Sequence, residues 1–278
     1  MKQNVGDTMK WKSLAIIGAG NLGTAIADGI AGSGLLNPSQ ITLTRRSVGE
    51  LGTWKEAGFV TTRDNAEAVR ERDMILIAVE PSAWGPVVEE IQDELDPERH
   101  LLISVMAGVS TESIRHRIRK DIPIVRTAPN TAVERHASMT TLCSLSDHPE
   151  ALETARKLFE PIGETLIIDE SMMAASTALC ASGIAFFIRG IRAAALAGTQ
   201  IGFSPEEAIR LAAQTALGAS KLVLESNRHP EEEIDRVTTP GGCTIQGLNR
   251  MEENGFSHSI IDGIVYATMI AQGLDKEE

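Results

Sequence analysis

Basic residues are in short supply: 26 Lys and Arg stand against 38 Asp and Glu, a formal charge of −12 over 278 residues. Such a balance argues against a nucleic-acid surface and against an anionic membrane as partner. It also means that an acidic ligand must be gathered by local positive features. Cysteine is scarce too. Cys143, Cys180 and Cys243 are odd in number and form no CxxC pair, so neither a disulfide framework nor a zinc site is expected, and a reducing cytoplasm fits best. No metal is expected. The opening MKQNVGDTMKWK has no apolar core of a secretion signal. The longest apolar run, Ala174 to Ile188, is short for a bilayer and leads into Arg189 and Arg192. These absences point to a soluble intracellular protein.

What is present is ordinary for a globular chain, 42% hydrophobic and 23% charged, and long enough for two cores. The first 170 residues alternate short apolar runs with helical patterns. Leu14–Ile17, Ile41–Leu43, Met74–Val79, Leu101–Val105, Ile122–Val125 and Thr165–Ile168 read as strands, several apolar throughout, as strands buried on both faces are. Helical patterns cover roughly 22–33, 65–71, 82–94, 111–119 and 150–160. This alternation predicts a doubly wound α/β domain of the Rossmann type. After Glu170 strand signals almost vanish. The Ala- and Gly-rich run 171–200 predicts one helix of about 45 Å, with so little polar surface that burial nearly all round is expected. A second helix starts cleanly, with Ser204 as cap, Pro205 at the first position and Glu207 closing a capping box. A final helix is expected over about 257–272. The division is therefore an α/β domain over 1–169, with 1–12 flexible, and an all-α domain over 170–278. A helical domain built on small residues gains cover from a second subunit, so a homodimer or an oligomer of dimers is expected.

The segment LAIIGAGNLGTAIADGIAGSG places Gly18, Gly20 and Gly23 in GxGxxG spacing, after an apolar strand and at the head of a helix. The first glycine permits the tight turn, the second lets backbone approach a pyrophosphate, and the third allows close helix–strand contact. Ala19, Asn21 and Leu22 complete that loop. A carboxylate at the end of the second strand would hold the ribose hydroxyls of NAD. Thr44, Arg45, Arg46 and Ser47 stand there instead, and guanidinium groups pair with a 2′-phosphate. NADPH is the expected cofactor, with NADH the lesser alternative.

In the second half, TTPGGCTIQGLNRME sets a proline and two glycines before a helix. A helix start offers unpaired N–H groups to an anion; the alternative is a plain turn. No Lys occurs between Lys157 and Lys221, and no His between His148 and His229. An alcohol oxidation needs a base to take its proton, whereas an imine arrives already protonated, so this absence favours imine chemistry.

From about residue 13 to 273 the chain resembles the pyrroline-5-carboxylate reductase family. VTTPGGCTIQGLNRME, from Val237, is close to the family's Ser/Thr-Pro-Gly-Gly-x-Thr-Ile-x-x-Leu signature. RTAPNTA (126–132) is similar to its Arg-x-x-Pro-Asn-Thr-Pro element and contains Asn130. SVMAGVS (104–110), with Ala107, and AVEP, comprising Ala78, Val79, Glu80 and Pro81, fall where the family contacts nicotinamide and ribose. Asn65 stands at its adenine-end asparagine and Arg45 at its 2′-phosphate residue. The resemblance implies reduction of a cyclic imine to L-proline. It implies that Gly241, Gly242 and Cys243 cradle the substrate carboxylate, that Thr244 bonds the ring nitrogen, and that Val237 also lines the substrate site. No covalent nucleophile is called for, so Cys243 is expected only to flank the threonine.

Three departures stand out. Glu80 replaces a usual Lys. CASGIAF (180–186) has Ala181 and Ile184 where the family has serine and proline. Asn227-Arg228 replaces an acidic or amide residue before His229-Pro230. Two alternatives stay open: a relative reducing another cyclic imine acid, and a non-catalytic NADP-binding regulator. Other residues take plainer readings: His100, His116 and His136 as surface groups, Met172 and Met173 as helix core, Trp54 and Trp84 as packing.

Overall fold

A computed structural model describes residues 10–46, 51–144, 148–226 and 228–274. Ser47, Asn227 and the first nine residues of the expected flexible segment lie outside the described residues. At its end, Trp11 is buried and donates its indole N–H to the Arg99 carbonyl at 2.8 Å, so the chain is anchored there.

Eight strands form one sheet: β1 (Leu14–Ile17), β2 (Ile41–Thr44), β3 (Val60–Thr62), β4 (Met74–Ile77), β5 (Leu101–Ser104), β6 (Ile124–Ala128), β7 (Ser138–Ser144) and β8 (Gly163–Ile167). Their order is β3-β2-β1-β4-β5-β6-β7-β8. Neighbours are parallel except for the antiparallel pair β6–β7. Alternate residues of the central strands feed two cores. Leu14, Ile16, Met74, Leu76 and Val125 face one side with α1 (Asn21–Ser33) and α6 (Pro149–Phe159). Ala15, Ile17, Ile75, Ile77 and Ile124 face the other with α3 (Asn65–Glu71), α4 (Trp84–Ile91) and α5 (Thr111–Ile118). Burial on both faces is the physical cause of the unbroken apolar runs. A short α2 (Gly52–Glu56) precedes β3.

Two strands were not predicted. β3 is a short edge strand with no buried residue. β7 reads SMTTLCS, and its hydroxyls gave no apolar pattern; Ser138, Thr140 and Thr141 are nonetheless buried. His100 corrects an expectation of surface exposure: it is 2% exposed, and its Nδ1 accepts the Asp96 N–H at 2.8 Å. Burial lowers its pKa, so it is held neutral in the fold.

From Glu170 to Gln200 the chain is continuously helical. Within it α7 (Met173–Ser176) passes through a π-helical stretch, Thr177–Ser182, into α8 (Gly183–Gln200). Counted over the full helix, this segment is long and apolar enough to cross a bilayer, with mean hydropathy 1.7 over its best window. The apolar run Ala174–Ile188 is only part of this helix. The helices α9 (Pro205–Glu225), α10 (Pro230–Arg236), α11 (Cys243–Glu253) and α12 (Phe256–Leu274) follow. The Ser204–Glu207 capping box forms as expected. Small residues do let α8 and α9 approach: a Cβ on Gly198 would meet the Ala208 Cβ at 3.0 Å.

Burial nearly all round is not observed within one chain. Phe187 is 62% exposed and Ile188 57%, and Met172, expected in a core, is 53% exposed while Met173 is buried. Two compact units result: one ends at Ser182 and takes in residues from Ala267 onward, and the other is Gly183–Tyr266.

Candidate functional site

In the sheet unit, β1 is flanked by β2 on one side and β4 on the other, so chain order reverses there. The carboxyl ends of strands at such a point form the crevice where open α/β sheets bind ligands. A cavity of about 800 Å³ lies there, lined by Gly18, Gly20, Thr44, Arg45, Arg46, Asn65, Ala78, Val79, Glu80 and Glu90, with the first turns of α4.

The three glycines differ in what surrounds them. Gly18 has φ +91°, and a Cβ there would come within 2.9 Å of the Ala78 backbone. A Cβ on Gly23 would meet the Gly18 carbonyl oxygen at 2.9 Å, so α1 can lie this close to β1 only with glycine. A Cβ on Gly20 would meet nothing within 4 Å; it would project into open space. Gly20 is also the N-cap of α1 and supplies no side-chain hydrogen bond, so the first N–H groups of the helix are left for a ligand. The loop is tied down by the Ala19 N–H to the Thr44 carbonyl at 2.8 Å and by the Gly18 N–H to Thr44 Oγ1 at 3.3 Å. Bare N–H groups at a helix start, with no side chain in front of them, are what a phosphate group needs.

Of the residues expected at the cofactor, Gly18, Gly20, Arg45, Arg46, Asn65, Ala78, Val79 and Glu80 line this one cavity. Ala19 and Gly23 are buried behind it, Leu22 packs on the core, and Asn21 lines a neighbouring groove with Asp28 and Trp54. Pro81 opens a 3-10 turn, Pro81–Ala83, beside the cavity. Ala107 is exposed in the loop after β5. Asn130 is placed elsewhere: it is 7% exposed, and its side-chain N–H donates to the Cys180 carbonyl at 3.2 Å, in the π-helical stretch. Thr44 and Glu90 were not among the expected site residues. Thr44 closes a strand and could be read there; Glu90 is carried in by α4, which no local pattern announces.

A second polar cluster joins the same unit. The Glu170 carboxylate accepts from the Thr111 N–H at 2.7 Å and from the Thr111 hydroxyl, and it pairs with the buried Arg126 at 3.4 Å. Removing one member of a buried pair typically costs about 3–5 kcal/mol. Beside it, burial and the Glu170 charge push the Cys143 thiol up to about 12, which leaves it inert.

In the helical unit, Thr239 to Gly242 form a tight turn closed by the Gly242 N–H to the Thr239 carbonyl at 2.9 Å. Gly241 has φ +68°, the left-handed position that follows proline in a type II turn. A Cβ on Gly242 would strike Thr239 Oγ1. Gly242 is the N-cap of α11 without a side-chain hydrogen bond. Its own N–H is spent in the turn, so the N–H groups on offer belong to Cys243, Thr244 and Ile245, the first turn of the helix. Gln246 fastens the turn by donating to the Gly241 carbonyl at 2.9 Å. Thr244 is half-buried, Cys243 exposed and Val237 60% exposed.

Known proteins share both halves. Residues 170–274 match the family described as pyrroline-5-carboxylate reductase dimerisation, and residues 13–108 match the NADP oxidoreductase, coenzyme F420-dependent family. Pyrroline-5-carboxylate reductase 2 of Dictyostelium discoideum is 46% identical over 270 residues, covering 91% of this chain and 90% of that protein. Pyrroline-5-carboxylate reductase 1 of the same organism is 45% identical over 94% of this chain, which spans only 49% of that longer relative. Among solved structures, a pyrroline-5-carboxylate reductase from Coxiella burnetii superposes with a TM-score of 0.87 at 30% identity, covering 95% of this chain and 98% of that one. The Plasmodium falciparum pyrroline carboxylate reductase with NADP bound gives 0.86 at 25% identity, over 95% and 98%. With its glycine-turn sheet unit matched to an NADP oxidoreductase and its helices to a dimerisation region, the chain belongs to the pyrroline-5-carboxylate reductase family.

Proposed function

We propose that this chain reduces 1-pyrroline-5-carboxylate to L-proline with NADPH, in the cytoplasm, as a homodimer or an oligomer of dimers. The observation that carries the substrate assignment is the Thr239–Gly242 turn at the uncapped start of α11, a small-anion site with a hydroxyl beside it. The cytoplasm suits three free cysteines. An oligomer suits helices α11 and α12, which contain no buried residue among the described ones.

Glycines 18 and 20 leave room for a pyrophosphate at the head of α1, and Arg45 and Arg46 line the same cavity with positive charge for a 2′-phosphate. The residues therefore fit a bound NADPH, which supplies the hydride that turns the imine carbon–nitrogen double bond into a single bond while it becomes NADP⁺. The chain's own share is binding and orientation. The N–H groups of Cys243, Thr244 and Ile245 hold the substrate carboxylate, aided by the positive end of the helix dipole. Gly241 and Gly242 keep side chains out of its way. The Thr244 hydroxyl, which makes no hydrogen bond among the described residues, bonds the ring nitrogen and fixes the ring. The nitrogen enters protonated and leaves as the amine of proline, so no protein base has to act.

A panel of cyclic imine acids tested with NADPH and with NADH examines this reading. It requires fastest turnover for the five-membered imine acid with NADPH. Faster turnover of another ring would reassign the substrate, and no oxidation of NADPH with any of them would remove the enzyme reading.

A further inference from the structure

At the mouth of the cofactor cavity a hydrogen-bond chain crosses three elements. The Gly18 N–H donates to Thr44 Oγ1 at 3.3 Å; Thr44 Oγ1 donates to Asn65 Oδ1 at 2.6 Å; Asn65 Nδ2 donates to Glu90 Oε2 at 2.5 Å. We propose that Thr44 and Glu90 are positioning residues that hold Asn65 as a hydrogen-bond donor toward the adenosine half of the cofactor. The proposal rests on the NADPH reading of this cavity.

The direction of the chain is fixed at both ends. A backbone N–H can only donate, so Thr44 accepts from Gly18 and has its single proton left for Asn65. An ionised carboxylate can only accept, so Glu90 must face the amide nitrogen. Asn65 is thus clamped in one of its two amide orientations, with one N–H committed to Glu90 and the other left for a ligand. A donor in that place suits an acceptor such as a ring nitrogen or a ribose or phosphate oxygen.

Asn65 is not needed to cap its own helix. Asp64 does that, accepting the Glu67 N–H at 2.9 Å. Nor is Glu90 explained by charge pairing, because it forms no ion pair among the described residues. A carboxylate lining a cavity for a polyanion repels its ligand. Here the same charge strengthens the donor it faces, since hydrogen bonds to ionised groups are the stronger kind. Thr44 is 1% exposed, so its hydroxyl is shielded from water and committed to the chain. Through Thr44 the amide is joined to the Gly18 turn itself, so the adenosine and pyrophosphate ends of the cavity are set by one connected network.

Calorimetry with NADPH and with 2′,5′-ADP, which carries only the phosphorylated adenosine end, reads this directly. Thr44→Val and Glu90→Ala should each weaken both compounds about tenfold, the size of one hydrogen bond to a committed donor. Thr44→Ser keeps the hydroxyl in place and should stay near wild-type affinity, and Glu90→Gln, which keeps an acceptor oxygen but loses the charge, should fall between wild type and Glu90→Ala. In steady state the losses fall on the NADPH Michaelis constant and not on that of the imine acid. Tighter binding by Glu90→Ala would show a merely repulsive carboxylate and overturn the proposal. A Thr44→Ser variant as weak as Thr44→Val would show a packing role and do the same. Glu90 is exposed, so its variants carry the test even if Thr44→Val fails to fold. A wild type that binds neither compound overturns the cofactor reading itself; one that binds both, with Glu90→Ala equally tight, overturns this proposal alone.

Discussion

Strand β1 and helix α12 both carry dense apolar sequence, and they use it in opposite ways. Leu14, Ala15, Ile16 and Ile17 are wholly buried between two layers of helices of their own chain. In α12 no residue whose burial is described is buried; Ile261 is 61% exposed and Tyr266 62%. Fully burying one such side chain is worth about 1.5–3 kcal/mol, so a chain does not leave a row of them in water without a partner surface. The contrast teaches that the sheet unit is complete within one polypeptide and the helical unit is not. The match of residues 170–274 to a dimerisation region says the same in other terms.

The largest effect should come from breaking the surface that the helices display. If the helices pair with a second copy as proposed, Ile261→Asp would bury a charge between the two, at a cost of several kcal/mol, and should yield monomer in sedimentation. Val60→Asp, on exposed edge strand β3, should leave assembly intact. If both variants sediment alike, the two regions do not differ as described.

The sheet unit can be broken from within. Gly18→Ala forces a side chain into a left-handed backbone and against Ala78, and should lower Tm for a strain of about 1–3 kcal/mol while abolishing cofactor binding. Gly20→Ala meets open space in the fold, so it should weaken NADPH binding and leave Tm where it was. Equal effects on Tm would refute the division of labour between the glycines.

Arg45→Asp puts a carboxylate near the proposed 2′-phosphate. Each charge-assisted contact is worth roughly 1.5–3 kcal/mol, so the ratio of NADPH to NADH efficiency should fall at least about tenfold. Unchanged preference would mean that Arg45 serves another end.

The smallest change belongs to the helical unit. Thr244→Ala removes one hydrogen bond, and catalytic efficiency should drop roughly tenfold to hundredfold, about 1.4–2.7 kcal/mol. NADPH affinity should hold. A matching loss in cofactor affinity would place Thr244 in the wrong role.

How much was legible follows from the same contrast. Central strands are buried on both faces, so each left an apolar run, and the glycine loop left its spacing because sterics at Gly18 and Gly23 admit nothing larger. β7 has no apolar run because Thr140 and Thr141 fill buried strand positions with hydroxyl-bearing residues. His100 looked like a surface group among charges, yet the fold closes over it. The π-helical stretch at Thr177–Ser182 has no local signature, since it forms where Asn130 reaches the Cys180 carbonyl, 50 residues away. Glu90 enters the cavity on α4, placed by packing and not by pattern.

The central claim, that this chain moves hydride from NADPH to a cyclic imine acid, is tested most directly by isotope transfer. The purified protein is given NADPH with both hydrogens of the reactive nicotinamide carbon replaced by deuterium, with 1-pyrroline-5-carboxylate, and the product is examined by mass spectrometry. One deuterium in each proline formed, matched by one NADPH oxidised, is the predicted result. Tight NADPH binding with no labelled proline would contradict it and leave a cofactor-binding protein without this reaction.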